Sequence, residues 1–267
     1  MPRFERLLLT GAAGALGTEL RRDLAGLARV MRLSDREPVS PAKAGEEVVR
    51  CDLADADGML ALTEDVDAVV HMGGVSRENT FANILESNIV GLYNLYEGCR
   101  KNGVGRVVFA SSNHAIGFYP RTRTIDASVP HRPDSFYGVS KAFGEDLSRY
   151  YFDKYGIETV CLRIGSCFPE PVDRRMLATW LSYPDLARLV SRSLLAPQVG
   201  HMVVYGMSDN LEKLWDNTMA SSLGYVPKDS AETYRERVEA ATPVPDPRDP
   251  AVRFQGGGFT AAGHFED

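Results

Sequence analysis

The chain opens on a short apolar run, Phe4-Glu5-Arg6-Leu7-Leu8-Leu9-Thr10, of the kind that a buried strand carries. Gly11-Ala12-Ala13-Gly14-Ala15-Leu16-Gly17 follows at once, and then a stretch whose apolar residues recur with helical period. Further apolar runs predict strands over 30–34, 47–51, 67–72, 106–110 and 158–163. Helical patterning runs through 88–95 and through the segment holding Tyr137, and beyond the sixth strand the pattern loosens. Strands that alternate with helices specify a parallel sheet covered on both faces, with ligands at the carboxyl ends of its strands. Gly11 follows the first strand, Asp35 the second, Gly73 the fourth, Ser111-Ser112 the fifth and Ile164-Gly165-Ser166 the sixth.

The expected fold is therefore α/β, a Rossmann-type doubly wound parallel sheet with a small C-terminal substrate-binding portion. Its 267 residues are divided as a dinucleotide-binding portion, 1–165, and a substrate-binding portion, 166–267, packed as one compact unit. A hydrophobic content of 44% is ample for a core, and a net charge of −6 argues against nucleic acid or an anionic membrane as the main partner. No apolar run approaches the ~20 residues that span a bilayer, and Met1-Pro2-Arg3-Phe4-Glu5 leads into a strand without a signal pattern, so a cytoplasmic location is expected. Cys51, Cys99, Cys161 and Cys167 lack ligand spacing; they read as reduced thiols, with no metal site.

Strand, glycine turn and helix together make a phosphate site. Gly11 permits the tight turn, Gly14 lets backbone approach a pyrophosphate, Gly17 lets helix pack on strand, and the helix N-terminus offers unpaired N–H groups. Asp35, about twenty residues on, can accept from ribose hydroxyls and repel a 2′-phosphate, which favours NAD over NADP; Arg36 beside it is a cation that tempers the preference. Asp52, before Leu53, is read either over the adenine edge or as a helix N-cap. Tyr137 and Lys141 stand four apart on one helix face, so an ammonium close to the phenol favours phenolate and makes the pair a proton acceptor for an alcohol.

With these residues in view the chain resembles the extended short-chain dehydrogenase/reductases over essentially its whole length. Phe109-Ala110-Ser111-Ser112-Asn113-His114-Ala115-Ile116-Gly117, Leu162-Arg163-Ile164-Gly165-Ser166-Cys167, Arg175-Met176-Leu177-Ala178-Thr179-Trp180 and Val252-Arg253-Phe254-Gln255-Gly256-Gly257 are similar to segments of the bacterial uronate dehydrogenases, which oxidise glucuronate or galacturonate with NAD. The resemblance implies that Ser112, five before Gly117, is the catalytic serine rather than Ser111. It implies Tyr137 as base, Ser112 holding the oxygen, Lys141 supporting the tyrosine and the nicotinamide ribose, and an aldarolactone as product. The implied sugar contacts are Ser76, Ser112, Asn113, His114, Ser166, Arg175 and Phe259; Arg175 is the fork for the carboxylate, and Arg174 beside it is read as a surface residue. NAD contacts are expected from Gly11, Gly14, Ala15, Leu16, Gly17, Asp35, Arg36, Asp52, Leu53, Met72, Gly73, Gly74, Ser76, Tyr137, Lys141 and Ile164, and from Asn88, which is also read as bonding backbone near the site. His71-Met72-Gly73-Gly74 departs from the family's H-x-A-A, and Ala115-Ile116 replaces Val-Tyr. Only about a hundred residues follow Ile164, which suits a free monosaccharide. The rival readings are a nucleotide-sugar epimerase or dehydratase, and a non-catalytic NAD-sensing regulator. A small-molecule sugar acid is the expected partner, in a homo-oligomer.

Overall fold

Leu7, Leu8 and Leu9 are wholly buried because the strand that carries them, β1 (Phe4–Thr10), lies inside a sheet with helices on both faces. Leu7 and Leu9 join one core cluster and Leu8 the other, as the two-residue period of a strand requires. The computed structural model describes residues 2–266; the outermost ends of the two expected portions, Met1 and Asp267, lie outside the described residues.

From β1 the chain runs through α1 (Ala15–Asp23), β2 (Ala28–Asp35), β3 (Glu46–Arg50), α2 (Ala56–Leu62) and β4 (Ala68–His71). A long helical passage follows, α3 (Phe81–Ile84), a π-helical stretch at Leu85–Val90 and α4 (Gly91–Asn102), which stops where Gly103 takes φ +73°. The helix expected over 88–95 is thus the middle of a longer passage whose hydrogen-bond register slips at Asn88. β5 (Arg106–Ser112) leads by a 3-10 turn, Asn113–Ile116, and a loop into α5 (Phe136–Tyr155). Ser135 caps α5 by accepting from the Gly138 N–H. β6 (Glu158–Ile164), β7 (Ser166–Cys167), α6 (Met176–Thr179), β8 (Trp180–Leu181), α7 (Tyr183–Leu195), β9 (His201–Gly206), α8 (Arg235–Ala241) and α9 (Pro250–Arg253) complete the order.

All pairings in the main sheet are parallel, in the order β3-β2-β1-β4-β5-β6-β9. Strand order reverses between β1 and β4, and a crevice at such a switch point receives ligands in open α/β sheets. β9 is a strand that the sequence pattern did not announce. It pairs only with β6 and buries fully only its last three residues, so its apolar signal is short.

After α9 the chain returns to the loop that follows β5. Arg121 N–H donates to the Arg253 carbonyl, Gln255 N–H to Tyr119 and Gly256 N–H to Gly117, at 2.9, 2.9 and 2.8 Å. These bonds carry the 3-10 turn Gly257–Thr260, with Phe259, to the carboxyl ends of β5 and β6.

Candidate active site

At the switch point the loop 11–17 is built so tightly that two of its glycines, Gly11 and Gly17, cannot be replaced. Gly11 has φ +72°, and a Cβ on it would meet the Gly73 nitrogen at 2.6 Å; one on Gly17 would meet the Gly11 carbonyl oxygen at 2.1 Å. Gly14 caps α1 with no side-chain acceptor, so the N–H groups of Ala15 and Leu16 open the helix without a side-chain cap. Asp35, at the end of β2, accepts from Ala13 N–H through one carboxylate oxygen and from Glu37 N–H through the other, both at 3.0 Å. It is half-buried, and its lone pairs are not exhausted. A turn without room for a Cβ, an uncapped helix start and a carboxylate beside it fit the pyrophosphate and ribose of a dinucleotide.

Arg36 is exposed and stands 3.6 Å from Glu37. Asp52 does not cap α2. Asp55 does, accepting from Gly58 N–H, because the chain makes one more turn after β3 in which Asp52 accepts from Ala54 N–H. Leu53 packs against Gly73 and Gly91. Met72 is half-buried against the core. Gly74 has φ +123°, and a Cβ there would fall 2.7 Å from Asn88 Oδ1, which accounts for glycine where the family has alanine. Asn88, in the π-helical stretch, accepts from Val75 N–H at 2.8 Å and donates to the Val75 carbonyl and the Ser140 hydroxyl at 3.0 and 2.9 Å. It thereby ties the loop after β4, where Ser76 is exposed, to α5.

Tyr137 and Lys141 are both buried on the inner face of α5. Lys141 Nζ donates to the Ala110 carbonyl at 2.7 Å and lies 5.4 Å from the Tyr137 ring centre. The expectation that the cation holds the phenol below its ordinary range is not met. Burial dominates: it pushes Tyr137 up to about 12, against the pull of its hydrogen bond with Ser112, and pushes Lys141 down to about 8. Ser112 is buried at the end of β5 and accepts from His114 N–H at 3.2 Å. Burial also pushes the Cys51 and Cys99 thiols up, to about 11 and about 12, so neither supplies a thiolate.

Beside this pair lies a wall of polar side chains drawn from distant segments. In the amide orientation that its neighbours satisfy, Asn113 donates to the Ile164 carbonyl at 3.1 Å and accepts from Arg175 Nη2 at 2.8 Å. Ser166 accepts from Arg175 Nη1 at 3.1 Å and bonds Thr179 at 2.9 Å. Arg175, just before α6, also gives Nε–H and Nη2–H to the Gln255 carbonyl, at 3.1 and 2.8 Å. Four of its five N–H groups are thereby spent on the protein, so the fork expected from the sequence is not freely bidentate. No carboxylate lies within ion-pairing distance of it among the described residues, and burial pushes its pKa down to about 10. Arg174 turns away to the carbonyls of Glu239, Thr242 and Pro243. His114 stacks on Phe259 at 3.9 Å between ring centres and meets Tyr137 edge-on at 5.7 Å.

Sequence reasoning missed three residues here. Glu78 accepts from the N–H groups of Phe136 and Tyr137, at 3.0 and 2.8 Å, and so anchors the first turn of α5. Gln255, fully buried, accepts from Trp215 Nε1 and donates to the carbonyls of Pro120 and Arg123. Asp134 pairs with His114 Nδ1 at 2.8 Å. Two of them left a trace in the sequence: Asp134, one residue ahead of the α5 cap, and Gln255, which lies in a segment that carries the family resemblance.

Residues 7–182 match the model of the NAD dependent epimerase/dehydratase family. The chain is 57% identical to the uronate dehydrogenase of Pseudomonas putida over 98% of both chains. It superposes on the crystal structure of a glucuronic acid dehydrogenase from Chromohalobacter salexigens with a TM-score of 0.96, at 54% identity, covering 98% of this chain and 99% of that one. A uronate dehydrogenase from Agrobacterium tumefaciens, in a tyrosine-to-alanine variant complexed with NAD, gives a TM-score of 0.95 at 51% identity over 97% and 98% of the two chains. A glycine cradle, a buried tyrosine and lysine and a similarity that runs the length of the chain agree: it belongs to the NAD dependent epimerase/dehydratase family.

Proposed function

We propose that the chain oxidises a free hexuronic acid, glucuronate or galacturonate, at C1 to the aldarolactone, with NAD as acceptor. The observation that carries this reading is Arg175, a desolvated guanidinium with no carboxylate partner among the described residues, set in the same wall as Asn113 and Ser166 beside Tyr137. Such a cation is costly to bury unpaired, and a substrate carboxylate relieves the cost. The similarity to proteins named uronate dehydrogenase supports the same substrate class. A cofactor-sensing regulator would give Arg175 no such anion to meet, and a nucleotide sugar would bring it a diphosphate rather than a sugar carboxylate.

NAD, when bound, supplies the acceptor for the hydride that leaves C1. Tyr137 takes the proton of the anomeric hydroxyl, and Ser112 holds the oxygen from which it comes. Burial keeps the Tyr137 phenol mostly neutral at pH 7, so the phenolate is a minor form, and the Lys141 charge close by favours it. Arg175 meets the carboxylate through its charge and its remaining N–H. Ser76, Asn113, His114 and Ser166 bond sugar hydroxyls, while Phe259 closes the pocket. In this reading residues 1–165 hold the dinucleotide, through Gly11, Gly14, Ala15, Leu16, Gly17, Asp35 and the residues around Gly73, and residues 166–267 complete the sugar site. The working form we propose is a cytoplasmic homo-oligomer; the exposed Phe81, Leu85, Val90 and Tyr93 along α3 and α4 support association. No helix among the described residues is long and apolar enough to cross a membrane.

The test is NADH formation from glucuronate, galacturonate, neutral aldoses and UDP-sugars. Free uronates should be oxidised with the highest kcat/KM. Turnover of UDP-sugars with none of free uronates would assign the site to nucleotide sugars instead.

A further inference from the structure

The loop before α5 holds a carboxylate that the proposed chemistry does not use. The Asp134 side chain has 0% exposure, and two backbone segments close over it. A Cβ on either Gly117 or Gly256 would stand 1.8 Å from Asp134 Oδ2, so glycine at both places is the condition for the carboxylate to be there. A carboxylate so enclosed needs donors. It has two from side chains: Ser135 Oγ–H to Oδ1 at 2.9 Å, and the His114 ring through Nδ1 to Oδ2 at 2.8 Å. The Asp134 N–H in turn donates to the His114 carbonyl at 3.3 Å.

An imidazole that gives its Nδ1 proton to a fixed carboxylate has, when neutral, a bare Nε2. His114 makes no second side-chain hydrogen bond among the described residues. Its ring plane is set by the stack on Phe259 and its edge lies against Tyr137, with 14% of the side chain exposed. We infer that Asp134 is a positioning residue: it locks His114 in the Nδ1–H tautomer, so that Nε2 accepts a hydrogen bond from a hydroxyl of the sugar held beside Tyr137. The recognised group is a hydroxyl donor, and a substrate lacking one at that place leaves Nε2 unpaired. Gly256, which makes room for the same carboxylate, opens the turn that carries Phe259, so the stacking partner of the ring and its tautomer are set side by side. The kinetic part of this inference rests on the uronate reading; the tautomer does not.

Nitrogen-15 NMR of the histidine-labelled chain without substrate, with His114→Gln to identify the signal, reads the tautomer directly. A proton on Nδ1 is expected, and a neutral ring protonated on Nε2 overturns the inference even in an enzyme fully active on uronates. This measurement needs no change at Asp134, so it stands if Asp134→Asn fails to fold. In the folded Asp134→Asn variant the amide can donate to Nδ1 and release the tautomer. KM for the uronate should then rise about tenfold or more, with kcat within about threefold of the parent and NAD affinity unchanged. The double variant should be no worse than His114→Gln alone, because Asp134 acts through His114. Additive losses, or loss of NAD binding, overturn the inference. A parent chain inactive on every uronate but carrying the Nδ1 proton would remove the substrate reading and leave the tautomer lock in place.

Discussion

The proposed cofactor end and the proposed sugar end of the crevice are made by different means. At the first, ligand-facing groups are backbone amides and glycines within one stretch, 11–17, with Asp35 holding that stretch through Ala13 N–H. At the second they are side chains, each fixed by a partner remote in sequence: Arg175 by the Gln255 carbonyl, Asn113 by that of Ile164, His114 by Asp134. Main-chain N–H groups suffice for a pyrophosphate, which offers charge and little shape. A sugar acid must be distinguished by hydroxyl and carboxylate positions, and that takes directed donors and acceptors on rigid supports. The two ends should therefore fail differently when altered.

Tyr137 stands at the seam, and Tyr137→Phe should separate the ends most sharply. Turnover should fall on the order of 10²-fold or more, because the proton acceptor is gone, while the dissociation constant for NAD from fluorescence titration stays near that of the parent. Parallel loss of both would mean that the two ends are one. Arg175→Lys comes next. It keeps the charge but gives up the bonds to Gln255, Asn113 and Ser166, so kcat/KM for a uronate should drop roughly 10- to 150-fold. A neutral aldose should lose less; equal losses on both sugars would make Arg175 a strut for the Gln255 segment and no more. The smallest change is expected at the cofactor end. Asp35→Ala should loosen the glycine loop under both cofactors but weaken NAD more than NADP, shifting the ratio of their efficiencies about tenfold toward NADP. An unmoved ratio would take Asp35 off the ribose.

The same division governs what the sequence reveals. β1 is legible to the residue, since three leucines bounded by a glycine turn leave little choice, and the Tyr137–Lys141 spacing finds α5. Arg175 was legible as a candidate because an arginine after a strand end is a local feature. Its spent N–H groups were not, because Gln255 is eighty positions away. Glu78 is invisible for that reason, bonding backbone 58 and 59 positions on. The depressed Lys141 and raised Tyr137 are products of burial, which spacing alone does not express.

The π-helical stretch at Leu85–Val90 bears on how this protein tolerates insertion and deletion. Such a stretch holds one residue more than regular α-helix would need to cover the same rise. Deleting one residue from it would give a smoother and intrinsically more favourable helix that leaves α3 and α4 in phase, and would draw the widened turn at Asn88 back into regular register. Asn88 would then swing off both Val75 and Ser140, and the loop after β4 would lose its tether to the Tyr137 helix. A change that improves the helix would thus unfasten the site, so this short passage is held to a length that helix stability by itself disfavours.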